Sequence, residues 1–181
     1  MIHIKKINNI VICSLFSALI CIGAFIRIPL PELSITMQVF FVLLAGLLLD
    51  AKRAITAVII YILLGLAGLP VFSTGGGFSY ILKPGFGYLV GFAVCAGVMG
   101  KICGKNACIK KMLVSCIAGV AVIYLFGISY YTVISRLVMG LELTAEFIIT
   151  ICVLPMLPGD VLSVVLAVVL ADRIKKSGIK L

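Results

Sequence analysis

The chain of 181 residues has no tryptophan and one histidine, and only 12% of its residues are charged. Soluble domains carry roughly 25% charged and about 45–50% apolar residues. Here the apolar share is 64% and the mean hydropathy is +1.35. A soluble domain of this length has no interior large enough for that much apolar surface, so the chain reads as an integral membrane protein. His3, alone near the start, supports neither an HExxH zinc site nor a histidine-based acid–base pair. GxSxG, GxxxxGK[ST] and CxxC are missing, as is any paired-aspartate cluster able to hold Mg2+ in a membrane transferase. Cys13, Cys21, Cys95, Cys103, Cys108, Cys116 and Cys152 lie mostly within apolar runs, where they read as small packing residues. These absences leave no cofactor or metal motif, no nucleotide site and no catalytic constellation. A small lipid-modifying membrane enzyme, the alternative from a different class, would need the metal or nucleophile cluster that is lacking.

Acidic residues are also scarce, six against fifteen basic ones, for a net charge of +9. The placement of the basic residues matters more than their excess. Hydropathy marks apolar runs at 9–26, 35–49, 54–70, 86–103, 112–135 and about 146–171, the last broken near 154–160. At about 20 residues per spanning helix, this length accommodates about six spans and little else. With the N-terminus inside, the inner segments hold Lys5, Lys6, Lys52, Arg53, Lys101, Lys105, Lys110, Lys111, Arg173, Lys175, Lys176 and Lys180, and the outer ones only Arg27, Lys83 and Arg136. That asymmetry is the positive-inside pattern. It predicts an all-α membrane protein of six transmembrane helices with both termini inside, and it accounts for the basic surplus through the lipid bilayer with no nucleic-acid partner. The first run is as long as a full span, and no small-residue cleavage site followed by a polar chain succeeds it, so a retained helix is expected there. No internal repeat or linker divides the chain, which reads as one domain over 1–181.

Irregularity gathers on the outer side. The inner loops "DAKR" and "KICGKNACIKK" are short, whereas "RIPLPELS", "PVFSTGGGFSYILKPGFG" and 136–160 carry Pro29, Pro31, Pro70, Pro84, Pro155 and Pro158 together with Glu32, Glu142, Glu146 and Asp160. Non-helical backbone at membrane depth persists only where protein or a cavity shelters it. A ligand site is therefore expected at the outer face.

Several groups could build it. Asp160, in "LPMLPGDVLS", would cost about 2.5–3.5 kcal/mol if it faced lipid. It either caps the last helix just after Pro158-Gly159 or meets a polar ligand, and the two roles are compatible. In "STGGGFSY", Gly75 and Gly76 let backbone approach a ligand closely, and Ser73 and Thr74 offer hydroxyls; a flexible outer loop is the plain alternative. In "KPGFGYLVGF", Gly87 and Gly91 form a GxxxG that permits close helix approach. Tyr88 offers a ring face and a hydroxyl, or serves as an interfacial aromatic. Lys83 is a candidate cation for an anionic group. Gln38 can donate and accept, toward a ligand or another helix. On helix one, the pairs Ser14/Ala18 and Ser17/Cys21 set small residues four apart, the mark of a face packed against another helix, internal or a partner's. A channel would need polar lining on both sides, which the loop-closed outer face does not suggest.

Five segments occur in an order and at separations that form a recognisable set: "GAFIRIPLP", "ITMQVFFVLLAGLLL", "GLAGLPVF" with the glycine-rich loop after it, "PGFGYLVGF" and "LPGD". Over about residues 10–175 the chain resembles the biotin-specific BioY family, the substrate-capturing S component of energy-coupling-factor transporters. The resemblance implies a compact six-helix bundle with an outward-facing pocket closed by the first and third outer loops. It implies that Asp160 reads biotin's ureido ring, with Gln38 or a loop N–H donating to the ureido oxygen, and that the "PVF" loop and Tyr88 cover the apolar rings. It further implies that helix one docks on a transmembrane coupling (T) subunit, with two ATPase subunits supplying energy. Family members commonly read "PGDLLK"; here the last position is Ser163, which can hydrogen-bond a carboxylate but not neutralise it. Lys83, where relatives often have glycine, is the expected replacement. An S component for another vitamin or a biotin precursor is the alternative this departure leaves open.

Overall fold

Beyond its first residue, helix α2, Gln38–Leu48, is apolar around its whole circumference, with Gln38, Phe40 and the unbroken run Val42–Leu47 all buried. A helix apolar on every side belongs inside a bundle, and α2 packs against α1 (Ile2–Phe25), α4 (Phe86–Cys103) and α7 (Leu157–Lys176). Around it stand α3 (Ala51–Leu66), against α1 and α4, and α5 (Ile109–Met139), against α4 and α7. The computed structural model describes residues 2–29, 33–104, 107–140 and 144–178. Expectations placed on Pro31, Glu32, Lys105, Glu142 and Lys180 fall outside the described residues.

Each of the six apolar runs read from hydropathy contains helix. Three helical segments, Ile7–Phe25, Phe86–Cys103 and Ile109–Val138, are long and apolar enough to cross a membrane. Glu146–Val153 and Leu157–Lys176, bent by 43° at their break, make a fourth if taken as one span. The protein is thus a multi-pass membrane protein. The difference from six lies in α2 and α3, which are helical over 11 and 16 residues. At 1.5 Å per residue both fall short of the roughly 30 Å hydrocarbon thickness.

The bend between Glu146–Val153 and Leu157–Lys176 has a local cause. Helix α6, Ala145–Ile148, passes into a π turn over Ile149–Val153, and Pro155 and Pro158 then prevent continuous pairing before α7 begins. A second departure from an all-helical reading lies after α1. Strands β1 (Arg27–Pro29) and β2 (Ser34–Thr36) pair antiparallel, with Arg27 opposite Thr36, Ile28 opposite Ile35 and Pro29 opposite Ser34. Proline is tolerated because each strand of a two-stranded ribbon has a free edge.

The α4–α5 contact is close because glycines allow it. A Cβ at Gly91 would lie 3.0 Å from the Ile123 Cα, and one at Gly87 would run into Tyr130. The α3–α4 loop turns sharply at Gly68, whose φ of +104° suits glycine, and folds back on α3. Phe72 enters the core there, edge-on to Tyr61 at 5.4 Å and tilted against Tyr80 at 4.4 Å. A short 3-10 turn, Phe78–Leu82, leads into α4.

The opposite end of the same helices is tied differently. Asp50 caps α3, accepting from the Arg53 N–H at 3.0 Å and pairing with its guanidinium at 2.7 Å. Burial works against the Asp50 charge, but these Arg53 contacts outweigh it and hold the carboxyl below its ordinary pKa. The Cys103 thiol lies 3.7 Å from the Leu47 carbonyl, and the Lys175 ammonium 3.2 Å from the Gly104 carbonyl. Lys52, Arg53, Lys101, Arg173, Lys175 and Lys176 all fall at this end.

Candidate ligand-binding site

A cavity of about 200 Å³ opens where β2 and the starts of α2, α4 and α7 meet the middle of α5. A single water needs roughly 10–15 Å³, so the space suits a small organic molecule. Its walls are mixed. Leu33, Ile35, Val39, Leu89, Phe92 and Met156 supply apolar surface, and Gln38, Tyr88, Tyr124, Asp160, Thr74 and Lys83 supply polar groups.

Each polar side chain is held by a particular neighbour. Asp160 stands in the first turn of α7, where a carboxylate complements the helix dipole. It does not cap the helix, however: the N-terminal boundary residue is Met156, with no side-chain cap. Asp160 Oδ2 instead accepts from the Tyr124 hydroxyl of α5 at 2.6 Å. Gln38, 3% exposed, donates to the Tyr61 hydroxyl at 2.6 Å and accepts from Thr36 at 3.1 Å. It therefore lines the cavity and joins α2 to α3 at once, leaving one amide N–H uncommitted among the described residues. Tyr88 donates to the Cys152 carbonyl at 3.3 Å, meeting a backbone acceptor in the π turn. Lys83 donates to the Thr74 carbonyl and hydroxyl, both at 3.1 Å, with its ammonium 4.8 Å from the Tyr80 ring centroid. Arg27 of β1 donates to the Ser73 carbonyl, tying the ribbon to the glycine-rich loop.

Charge complementarity is left open within this site. Among the described residues the ion pairs are Asp50–Arg53 and Asp172–Lys176, at the far end of the bundle. Asp160 and Lys83 line one cavity without pairing with each other. An anion and a cation kept apart in this way suit a ligand that carries a donor at one place and an anionic acceptor at another.

A model described as the BioY family matches residues 1–180. The chain belongs to the BioY family. Similar relatives include the probable biotin transporter BioY of Lysinibacillus sphaericus, 35% identical over 93% of this chain and 87% of that protein. The biotin transporter BioY of Thermotoga maritima is 35% identical over 93% of this chain and 96% of its own length. The probable biotin transporter BioY of Pyrococcus horikoshii is 33% identical over 94% of this chain and 98% of its own. The fold is similar to the crystal structure of the S-component for biotin from an ECF-type ABC transporter, with a TM-score of 0.72 at 24% identity, covering 97% of this chain and 95% of that one.

Of the residues singled out from the BioY-like sequence, Asp160, Tyr88, Gln38, Lys83, Ser73 and Thr74 converge on the cavity, whereas Gly75, Gly76 and Ser163 do not line it. Ser163, one turn beyond Asp160, is buried at 4% exposure. On α1 the two small-residue pairs separate: Ser14 and Ala18 are exposed, Ser17 is buried inside the bundle and Cys21 is half-buried. Ser17 therefore faces this chain's own helices. Tyr124 and Tyr80 line the cavity without having been singled out, because their significance comes from partners distant in sequence.

Proposed function

We propose that this protein captures biotin and takes it up across the cytoplasmic membrane as the S component of an energy-coupling-factor transporter. The observation that carries this reading is one cavity of mixed walls that Asp160 and Lys83 both line with no ion pair to either among the described residues. Biotin has a cyclic urea head, an apolar fused ring and a carboxylate tail, and each part finds a counterpart. Asp160 accepts a ureido N–H in a charge-assisted bond, and the free Gln38 N–H serves the ureido oxygen. Tyr88, Leu89 and Phe92 cover the rings. Lys83, backed by Ser73 and Thr74, receives the carboxylate. Gly75 and Gly76 shape the loop that carries those hydroxyls. The 35% identity to proteins named biotin transporters supports the same cargo. The activity is transport, not catalysis.

In this reading the chain is one integral membrane domain that crosses six times with both termini inside. The basic residues at the end opposite the cavity support that orientation by the positive-inside rule. The short α2 and α3 complete their crossings with the flanking ribbon and loops. The exposed Ser14–Ala18 face of α1, with Cys21 at its margin and Ser17 packing from behind, docks on a transmembrane coupling subunit, and two ATPase subunits energise uptake.

The Lys83 role separates biotin from a cargo without a carboxylate. Wild-type protein is expected to bind biotin more tightly than biotinamide, and Lys83→Ala to lose about fivefold in biotin affinity while biotinamide binding stays unchanged. Competition binding on detergent-purified protein checks this. An equal change for both ligands contradicts the assignment, and preference for a different vitamin or a biotin precursor points to a relative with another cargo.

A further inference from the structure

Resting on the biotin reading, we infer that Tyr124 positions Asp160 so that one carboxylate oxygen faces the ligand, which makes the site select a cyclic urea over a cyclic guanidinium. Tyr124 lies mid-way along α5 and Asp160 in the first turn of α7, and both line the cavity. The tyrosine hydroxyl donates to Oδ2 at 2.6 Å, while no hydrogen bond reaches Oδ1 among the described residues. The carboxylate thus has one oxygen partly engaged by Tyr124 and one wholly available.

That division matters because of the shape of the ligand head. The two N–H groups of a cyclic urea point away from one another, on either side of the carbonyl, so a carboxylate meets one of them at a time. One free oxygen is sufficient. A cyclic guanidinium presents its ring N–H and its exocyclic NH2 side by side, and this pair grips both oxygens of a carboxylate. With one lone-pair site of Oδ2 already taken by Tyr124, the two-pronged grip must share that oxygen with the phenol, whereas Oδ1 stands open. The added positive charge of the guanidinium favours Asp160 on Coulombic grounds alone, so discrimination against it must come from geometry, and Tyr124 supplies that geometry. Tyr124 acts through Asp160 and is a positioning residue for specificity.

The probes are biotin and 2-iminobiotin, in which the ureido oxygen is replaced by nitrogen to give a cyclic guanidinium at neutral pH. Calorimetric titration of the purified full chain with each probe gives an affinity ratio. The wild type is expected to favour biotin, and Tyr124→Phe to lower the biotin-to-iminobiotin ratio by about tenfold, with biotin weakened and 2-iminobiotin weakened less or strengthened. In an Asp160→Asn background, Tyr124→Phe is expected to leave the ratio within about twofold, since the residue works through the carboxylate. A parallel loss for both probes in Tyr124→Phe would reduce Tyr124 to packing and overturn the inference. A wild type that binds 2-iminobiotin as tightly as biotin would overturn it whether or not the variant folds. A folded wild type that binds neither probe would overturn the biotin reading and this inference with it, whereas biotin binding with an unchanged ratio overturns the inference alone.

Discussion

Asp160→Asn is expected to lower biotin affinity by about 100-fold. A hydrogen bond to a charged group contributes about 1.5–3 kcal/mol, equivalent to roughly 10–150-fold in affinity. The asparagine is placed at the upper end by its geometry. Its carbonyl can still accept from Tyr124, which now donates to Oδ2 at 2.6 Å. The amide N–H groups then take the place of Oδ1, and a donor faces the ureido donor. Folding is not expected to suffer, because the side chains match in size and a neutral amide costs less than a carboxylate at membrane depth. Calorimetry gives the affinity, and thermal melting in detergent gives the stability. A folded variant with wild-type biotin affinity would remove Asp160 from the ligand contact.

The second large effect is expected from Gly127→Val. A Cβ at position 127 would lie 2.5 Å from Tyr88 Cε1 and 2.6 Å from Tyr88 Cδ1 and Cζ. Tyr88 cannot retreat freely, because its hydroxyl is bonded to the Cys152 carbonyl and its helix is pressed against α5 at Gly87 and Gly91. Either the α4–α5 contact opens or the ring moves into the cavity. Overpacking of this kind costs about 1–3 kcal/mol. In a chain of this length that corresponds to a fall of roughly 5 °C in melting temperature, and biotin affinity falls by about tenfold or more as the cavity wall shifts. The same valine placed at Ala121, exposed on the same helix, is expected to change neither quantity. Unchanged melting and binding in Gly127→Val would show that the Tyr88–Gly127 contact does not shape the site.

The helical runs were legible because a bilayer demands long apolar segments, and α4 and α5 satisfy that demand within one continuous helix each. The shortness of α2 and α3 was not legible: hydropathy measures how apolar a run is, not where the chain leaves helical geometry. Strands of three residues are too brief for a period of two to show, so the β1–β2 ribbon is visible only in three dimensions. Asp160, Lys83 and Gln38 stood out because polar groups beside apolar runs are costly without a purpose. Tyr124 did not, since it lies in "VIYLFGISYY", where no neighbour distinguishes it from Tyr130 or Tyr131, and the partner that gives it a role is 36 residues away. Ser163 shows the converse. Its hydroxyl is expected from the sequence to reach a carboxylate, but the bundle buries it and it does not line the cavity. The small residues of α1 were legible as a packing surface, but the division into an exposed Ser14–Ala18 face and an inward Ser17 depends on which side of the helix the rest of the bundle occupies.

Biotin binding in this cavity can be measured directly. Protein purified in mild detergent, freed of any co-purified small molecule by unfolding and refolding and shown to be folded by its melting curve, should be titrated with biotin by calorimetry. Saturable one-to-one binding, without added metal or nucleotide and sharply weakened in Asp160→Asn, is the predicted result. A folded wild-type protein that releases no biotin on denaturation and takes up no biotin on titration would show that the cavity serves another ligand.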